Sequence, residues 1–285
     1  MQKVAIVTDS ISCLTNELVE QYKIGIVPIM LLVQGKLYRD MLDITPSEAY
    51  ELFLQDPESF NTSPAAPGHY LEAYREASNR ARNILCVTLS SKLSTGYDMA
   101  RVAKEEAKTE LPQTSIEILD SQTTTAAEGF VALAGARAAA EGKGLAEVVK
   151  ASEEVRDKVT FLLLLDTIRH VYRTGRIPKV ASQVGSMLNI KPILTSSSGL
   201  VRFKGIVRNR EKGINRILKL MREKVGQSPV HVAVMHAYAP DEAERLKERI
   251  SSEFNCAELW VTGFSLVMGY ATGTGTLGFA FYAED

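Results

Sequence analysis

Short apolar runs that alternate with helical segments constrain this chain more than any other feature. Residues 4–7, 26–32, 84–89 and 116–119 each have the composition of a buried strand. The segments between and after them carry helical patterns, several with a Ser, Thr or Pro at the start: 16–22, 46–54, 68–82, 95–109 and 129–140. Strands that alternate with helices at a spacing of roughly 30 residues indicate βαβ units. The first half is therefore predicted to form a doubly wound parallel sheet.

The composition of the chain changes after residue 157. A charged helix over 145–158 is predicted to lead into a second set of elements, with strands at 160–165, 192–195, 201–207, 231–236 and 259–263 and helices at 180–188, 212–223 and 241–252. A length of 285 residues also suits two domains. We predict an α/β protein with an N-terminal domain over 1–157 and a smaller α/β C-terminal domain over 158–285.

Charge and cysteine content limit the classes of partner. The net charge of −1 lacks the basic excess that nucleic-acid binding requires. Cys13, Cys86 and Cys256 are far apart and form no CxxC or Cys/His cluster, so we predict free thiols in a reducing compartment and no metal. The apolar run 161–165 is far shorter than the roughly 20 residues of a membrane span. We expect a cytoplasmic protein without stable membrane insertion and without a cofactor.

Three hydroxyl-rich turns of the first half are candidate binding loops. They are Thr8-Asp9-Ser10, Thr62-Ser63-Pro64 and Ser90-Ser91-Lys92-Leu93-Ser94. In an open parallel sheet, ligands bind outside the carboxyl ends of the strands, and helix N-termini add free N–H groups. These turns are suited to a small anion such as a carboxylate or phosphate. Ordinary helix caps, for which Ser and Thr are favoured, explain the same pattern equally simply.

Familiar enzyme motifs are largely missing. Gly273-x-Gly275-x-x-Gly278 has the letters of a dinucleotide fingerprint, but only seven residues follow it, too few for the required helix, strand and ribose-binding acid. We read these glycines as sites of tight turning or close backbone approach. His236 stands alone at the end of a predicted strand, where a structural role is more common than a catalytic one. The inventory suits a binding protein better than an enzyme.

The motifs resemble those of the DegV family over essentially the whole chain. Thr8-Asp9-Ser10 is similar to the family's opening motif, and Ser90-Ser91-Lys92-Leu93-Ser94-Thr95-Gly96-Tyr97 is close to its S-S-x-L-S-G-T-Y. The most specific match is Gly175-Arg176-Ile177 followed by Leu188-Asn189-Ile190-Lys191-Pro192-Ile193-Leu194. The matches that complete the series, in chain order, are Thr62-Ser63-Pro64, Asp120-Ser121, Arg208, His236 and Gly273-x-Gly275.

The closing motif departs from the family pattern. The family usually has G-T-H-T-G-P-G, whereas this chain has Gly269-Tyr270-Ala271-Thr272-Gly273-Thr274-Gly275. Ala271 occupies the histidine position and Thr274 the proline position. A family role for that histidine near a ligand head group therefore cannot transfer to this chain.

The resemblance implies a carrier that buries one long-chain fatty acid between two domains and makes no bond itself. It implies a carboxylate held by hydroxyls at Thr62 and Ser94, and we expect binding residues at Thr62, Ser63, Ser94, Thr95, Ser121, His236, Gly273 and Gly275. Phe161 to Leu165, Met187 to Leu188 and Phe264 to Met268 are candidate walls for the acyl chain. Some members present the lipid to a fatty acid kinase subunit, for which Arg208 and Arg176 are the candidate contacts.

Two other readings remain open from the sequence. One is an enzyme that acts on a small anionic or phosphorylated substrate at the same loops, and it would need a shallow polar cleft with a competent base. The other is an interaction protein that contains a structural lipid. A long apolar cavity behind Thr62 and Ser94 would favour the carrier over the enzyme.

Overall fold

The computed structural model describes residues 3–167, 170, 174–175 and 190–284. Its strands are β1 (Val4–Asp9), β2 (Gly25–Val27), β3 (Met30–Val33), β4 (Lys36–Arg39), β5 (Phe60–Ser63), β6 (Asn83–Thr88), β7 (Ser115–Asp120), β8 (Thr160–Leu164), β9 (Lys191–Ser197), β10 (Leu200–Val207), β11 (Val230–His236), β12 (Cys256–Gly263) and β13 (Leu277–Ala283). Its α-helices are α1 (Asn16–Tyr22), α2 (Pro46–Gln55), α3 (Pro67–Ser78), α4 (Gly96–Glu110), α5 (Ala126–Ala140), α6 (Leu145–Lys158), α7 (Arg210–Val225), α8 (Pro240–Glu253) and α9 (Leu266–Thr272).

The first sheet is parallel throughout and confirms the predicted βαβ pattern. Its strand order is β2-β1-β6-β7. All six residues of β1 are buried, because α3 and α4 cover one face of the sheet and α5 and α6 cover the other. Helices on both faces explain why β1 and β6 read as continuous apolar runs, whereas the edge strand β7 alternates polar and apolar residues.

The second sheet is mixed rather than parallel. Its order is β10-β9-β8-β13-β11-β12, and only the pair β11–β12 is parallel among those neighbours. The two faces of the mixed sheet pack against different layers, as the residues of β8 show. Phe161 and Leu163 join the core shared with α5, while Leu162 and Leu164 pack with α7 and α8 on the opposite face.

A small antiparallel sheet of order β4-β3-β5 corrects two predictions. The predicted strand over 26–32 is two strands in different sheets, broken around Pro28, which has no N–H to donate to a ladder. The predicted turn at Thr62-Ser63-Pro64 is also wrong, because Thr62 and Ser63 belong to strand β5. Gln34 and Gly35, with φ of 49° and 78°, form the tight turn between β3 and β4.

The predicted helices agree with the structure to within a few residues at each end. Helix α2 begins as its sequence suggests: Thr45 accepts the N–H of Glu48, and the Glu48 carboxylate accepts the N–H of Thr45. The predicted helix over 180–188 lies outside the described residues. Strands β4 and β13 and helix α9 were not predicted. Strand β13 lies in the middle of the mixed sheet, between β8 and β11.

Helix α5 joins the two large sheets. Its Arg137 forms an ion pair with Glu258 of β12. His231 lies 3.0 Å from both Glu258 and Glu284 and stacks on the Tyr282 ring at 4.4 Å. Burial works to lower the pKa of His231, but the two carboxylates outweigh it and raise that pKa above its ordinary value.

The strands of the parallel sheet all precede residue 158 and those of the mixed sheet all follow it. The boundary between 157 and 158 itself stays a prediction.

The three cysteines are free thiols, two of them buried. Within the described ranges, no helix combines the length and apolar character needed to cross a membrane. The same residues contain no group of three or more His, Cys, Asp or Glu side chains placed to bind a metal ion.

Candidate functional site

One cavity lies where the three sheets meet. Its empty volume is about 850 Å³, including part of its opening to solvent. Residues before 158 supply one side, and β8, β9, β10 and α9 supply the other. The cavity therefore lies where the parallel and the mixed sheets face each other.

The described wall of the cavity contains only apolar and hydroxyl-bearing residues. No lining side chain among the described residues is charged or titratable in the physiological range. The apolar members are Ile11, Ile29, Pro64, Leu89, Leu93, Phe161, Leu163, Leu194, Val201, Val267, Met268 and Ala271. The hydroxyl-bearing members are Thr62, Ser63, Ser94, Thr124, Thr174 and Thr272.

Strand periodicity places the apolar wall on the mixed-sheet side. Phe161 and Leu163 alternate along β8, and Leu194 follows on the neighbouring strand, where it pairs with Leu163. Of the predicted acyl-chain walls, Val267 and Met268 of α9 also line the cavity. Met187 and Leu188 lie outside the described residues.

Ser94 lies at the cavity because its loop is fixed to the opposite half of the chain. The Ser90 hydroxyl donates to the carbonyl of Gly199 at 2.7 Å, and the Lys92 ammonium donates to the carbonyl of Ser198 at 2.8 Å. The Ser94 hydroxyl oxygen accepts the N–H of Gly96 at 3.2 Å, at the start of α4. Ser94 is therefore both a helix cap and a wall residue, and its own O–H can still donate to a ligand.

Thr62 reaches the cavity from strand β5. It pairs with the fully buried Leu31 of β3, on the inner face of the small sheet. The Thr62 backbone N–H donates to Asn61 at 2.8 Å. Ser63 is exposed but still contributes to the wall, and its hydroxyl donates to the Pro64 carbonyl at 3.4 Å. Thr62, Ser63 and Ser94 are the predicted binding residues that the structure brings together at one cavity.

The structure places three other predicted residues away from the wall. Thr95 is exposed beside Ser94. The Ser121 hydroxyl is fully buried and bonded within its own loop, donating to the carbonyl of Thr123 and accepting its N–H. His236 accepts the N–H of Ala239 through Nδ1 at 3.2 Å and packs near Gly263, and burial lowers its pKa.

The two predicted glycines have backbone roles near α9. Gly273 ends that helix with φ of 85°, and a Cβ at this position would lie 2.5 Å from Cδ2 of His170. Gly275 has φ of 79° and donates its N–H to the carbonyl of Ala237 at 2.8 Å. Neither lines the cavity. Arg208 is exposed just after β10, away from the wall, and Arg176 lies outside the described residues.

Three lining hydroxyls, those of Thr124, Thr174 and Thr272, were not predicted from the sequence. Thr124 lies in the loop after β7, three residues beyond the predicted Ser121. The motif Asp120-Ser121 therefore identified the correct loop but not the hydroxyl that lines the cavity. Thr272 lies in the predicted closing motif, and its hydroxyl donates to the Met268 carbonyl at 2.8 Å, within α9. A Thr whose hydroxyl donates to a carbonyl of its own helix carries no distinct sequence signal.

Buried acids lie directly behind the apolar wall. Asp9 accepts the N–H groups of Ile11 at 3.0 Å and Leu89 at 3.1 Å, and both of those residues line the cavity. Glu128 of α5 accepts from the Thr8 hydroxyl at 3.3 Å and shares a hydrogen bond with Asp9. Burial raises the pKa of Asp9 to about 6, and burial together with the nearby Asp9 charge raises the pKa of Glu128 well above its ordinary range.

Asp40 is the third acid of this layer. It accepts from the Ser10 hydroxyl at 2.6 Å, and the Ser10 oxygen accepts the N–H of Ile29 at 3.2 Å. Ile29 is another wall residue. Burial raises the pKa of Asp40 to about 6. A layer of buried acids thus lies behind the hydrophobic wall and holds the backbone of the binding loops in place.

Almost the whole chain matches the sequence pattern of one protein family. The family model described as "Uncharacterised protein, DegV family" matches residues 3–284. This chain belongs to the DegV family. A DegV domain-containing protein of Clostridium perfringens is 30% identical over 284 residues, which cover 99% of each chain.

Solved DegV structures have the same fold. A DegV family protein from Thermus thermophilus, described by its fatty acid binding, is 27% identical with a TM-score of 0.89 and covers 99% of this chain and 100% of its own. DegV of Bacillus subtilis, described as a fatty acid binding protein, is 26% identical with a TM-score of 0.88 and full coverage of both chains. Ala271, at the position where the family motif led us to expect a histidine, lines the cavity.

Proposed function

We propose that this DegV protein binds one long-chain fatty acid in the cavity between its sheets. The head group lies at the hydroxyls of Thr62, Ser63 and Ser94, and the acyl chain lies along Phe161, Leu163, Leu194 and their apolar neighbours. The observation that carries the proposal is the composition of the described wall, which is apolar except for hydroxyls. The descriptions of the Thermus and Bacillus relatives as fatty-acid-binding support it.

The tail dominates the energetics of such a complex. Burying about fifteen methylenes at ~0.8 kcal/mol each contributes roughly 12 kcal/mol before the cost of ordering the chain. A hydrogen bond to the head contributes only about 0.5–1.5 kcal/mol, or up to about 3 if the head is charged. The wall therefore sets the affinity, while the hydroxyls orient the head.

The purified protein should contain about one equivalent of fatty acid, because an apolar cavity retains a buried tail strongly. Denaturation, organic extraction and mass spectrometry measure the released lipid against protein concentration. A matched extraction of an unrelated protein purified in the same way controls for carry-over. A lipid-free protein that also takes up no added palmitate or oleate would contradict the proposal.

Thr62→Ala combined with Ser94→Ala should weaken palmitate binding about tenfold or more but leave the cavity able to fill. The two substitutions remove two head contacts of about 1 kcal/mol each and leave the tail wall unchanged. Titration calorimetry on delipidated protein measures the affinity. Thr109→Ala with Ser251→Ala is the matched control, since both of these hydroxyls are exposed on helices. Wild-type affinity in the Thr62/Ser94 variant would reduce both residues to structural caps.

The carrier role includes presentation of the lipid to a fatty acid kinase subunit. Arg208 is the proposed contact for such a partner, because it is exposed and an arginine fork suits phosphate or carboxylate groups. Arg176 remains a second candidate. We further propose that the units 1–157 and 158–285 act as two domains with the lipid between them, in the cytoplasm. Three free thiols are compatible with that compartment.

An enzyme acting on a small anionic substrate at the same loops is less well supported. General acid–base chemistry needs a titratable side chain within hydrogen-bond reach of the substrate. The described lining residues provide none. The protein is therefore proposed as a non-catalytic binding protein.

A further inference from the structure

The hydroxyl of Tyr70 is buried beside the start of α4. Tyr70 belongs to α3, is 0% exposed and is not part of the cavity wall. Its hydroxyl has no hydrogen-bond partner in the described part of the chain. Burial raises the pKa of Tyr70 well above its ordinary range, so the phenol keeps its proton and stays a donor. A buried O–H group without an acceptor costs free energy, so its presence at this place points to a role.

Gly96, the first residue of α4, leaves the space in which Tyr70 and Ser94 approach each other. A Cβ on Gly96 would lie 3.0 Å from Oη of Tyr70 and 3.7 Å from Oγ of Ser94. Because both oxygens border the same point, a hydrogen bond can join them directly or through one water molecule. Cδ2 of the wall residue Leu89 borders that point too, at 3.7 Å. The Tyr70 hydroxyl therefore lies just behind the cavity wall, beside Ser94.

The hydrogen-bonding capacity of Ser94 matches the donor that Tyr70 offers. A serine hydroxyl has one O–H and two acceptor lone pairs. The Ser94 oxygen accepts the N–H of Gly96 at 3.2 Å, which uses one lone pair. In the proposed complex, the Ser94 O–H donates to the head of the fatty acid. The second lone pair then suits a donor, and the Tyr70 O–H is a buried donor that borders it.

We infer that Tyr70 is a positioning residue for the fatty acid head group and that it acts through Ser94. The inference rests on the proposed function. The Tyr70 O–H donates to the Ser94 oxygen from behind the wall, and this directs the Ser94 O–H into the cavity. The buried phenol gains its acceptor in the same arrangement. Since Tyr70 does not line the cavity, its effect on the ligand passes through Ser94.

Tyr74 provides a matched control on the same helix. It lies one turn after Tyr70, is also 0% exposed, and the two ring centroids are 6.4 Å apart. Its hydroxyl, in contrast, has a partner, because it donates to the Ala100 carbonyl at 3.3 Å. Tyr74→Phe should therefore lower the melting temperature of the delipidated protein and leave palmitate affinity unchanged. Tyr70→Phe removes a hydroxyl without a partner, so it should not lower the melting temperature.

Palmitate titration of delipidated protein tests the inference. Tyr70→Phe should weaken palmitate binding about fivefold, which corresponds to a single hydrogen bond of about 1 kcal/mol. In the Ser94→Ala background, the same substitution should change the affinity by less than about twofold, because the residue through which Tyr70 acts is gone. With palmitate labelled by 13C at the carboxyl, the resonance of the bound head should shift in Tyr70→Phe and stay in place in Tyr74→Phe.

Gly96→Ala tests the same contact and leaves the Tyr70 side chain intact. Gly96 is part of a helix, so an alanine suits its backbone, and the new Cβ would crowd the Tyr70 hydroxyl at 3.0 Å. We expect this variant to weaken palmitate binding to a similar extent as Tyr70→Phe. The two substitutions together should weaken it little further, because the hydroxyl that the Cβ displaces is already absent.

The outcomes separate this inference from the proposed function. A loss of affinity in Tyr70→Phe that disappears in the Ser94→Ala background, with Tyr74→Phe unchanged, supports the inference. Wild-type affinity in Tyr70→Phe, or an equal loss with and without Ser94, overturns it and leaves fatty acid binding intact. If Tyr70→Phe does not fold, Gly96→Ala with and without Ser94→Ala decides by the same criteria. Absence of palmitate binding by the wild type overturns the proposed function and the inference together.

Discussion

Leu194→Trp is expected to abolish most fatty acid uptake while the protein remains folded. Leu194 is 1% exposed and lines the cavity from β9, so the larger indole has little room other than the space proposed for the acyl chain. Excluding about four methylenes at ~0.8 kcal/mol each costs roughly 3 kcal/mol of binding, or about 100-fold in affinity. Overpacking of this kind destabilises a fold by about 1–3 kcal/mol, which a protein of this size tolerates.

Palmitate titration and the ligand-induced shift in melting temperature measure this effect. A ligand that binds the native state raises the melting temperature, so the wild type should respond to palmitate and Leu194→Trp should not. Ile193→Leu is the matched control. Ile193 is the adjacent residue of β9, but it packs on the opposite face, with the helices of the mixed sheet. Uptake by Leu194→Trp equal to that of the wild type would mean that the acyl chain lies elsewhere.

Gly278→Ala is expected to destabilise the protein by about 4 kcal/mol or more, because it affects the centre of the mixed sheet. A Cβ at this position would lie 2.1 Å from the carbonyl oxygen of Leu162 and 2.8 Å from Cα of Leu163. These are backbone atoms of the neighbouring strand β8, so relief requires β13 to move away from its ladder. The yield of soluble protein and the midpoint of urea unfolding measure the loss.

Gly205→Ala is the control for Gly278→Ala. Gly205 lies in the edge strand β10, next to an irregularity in its register, and a Cβ there meets nothing within 4 Å. This substitution should change stability by less than about 1 kcal/mol. If Gly278→Ala were as stable as Gly205→Ala, the close approach of β13 to β8 would not be needed for folding.

Much of the parallel sheet could be predicted from the sequence, because helices cover both of its faces. Residues of β1 and β6 therefore form compact apolar runs followed by polar loops. The strands of the mixed sheet were harder to predict from the sequence. The glycines of Gly273-x-Gly275-x-x-Gly278 read as turn residues. Strand β13 begins after the first two of them, and Gly278 lies within the strand. Its need for a glycine comes from β8, more than 100 residues earlier in the chain.

The small sheet shows a second limit of local patterns. Thr62 and Ser63 read as a turn before a proline, but they pair with β3 as part of β5. Strand pairing depends on a partner that local propensity cannot identify. The predicted hydroxyls were nevertheless useful, since Thr62, Ser63 and Ser94 all line the cavity. The predicted Ser121 does not line the cavity, because its hydroxyl is bonded within its own loop.

Local sequence patterns specify the alternation of strands and helices, the caps that start helices such as α2, and the loops that carry the candidate hydroxyls. These features depend on neighbours a few residues apart. Which hydroxyls face one cavity depends on how the sheets pack, and so does the arrangement of an uncharged described wall with buried acids behind it. The Ser90 hydroxyl reaches the Gly199 carbonyl across 109 positions, and Asp9 reaches Leu89 across 80. Contacts between such distant residues form only when the sheets pack together, because no local pattern encodes their separation in space.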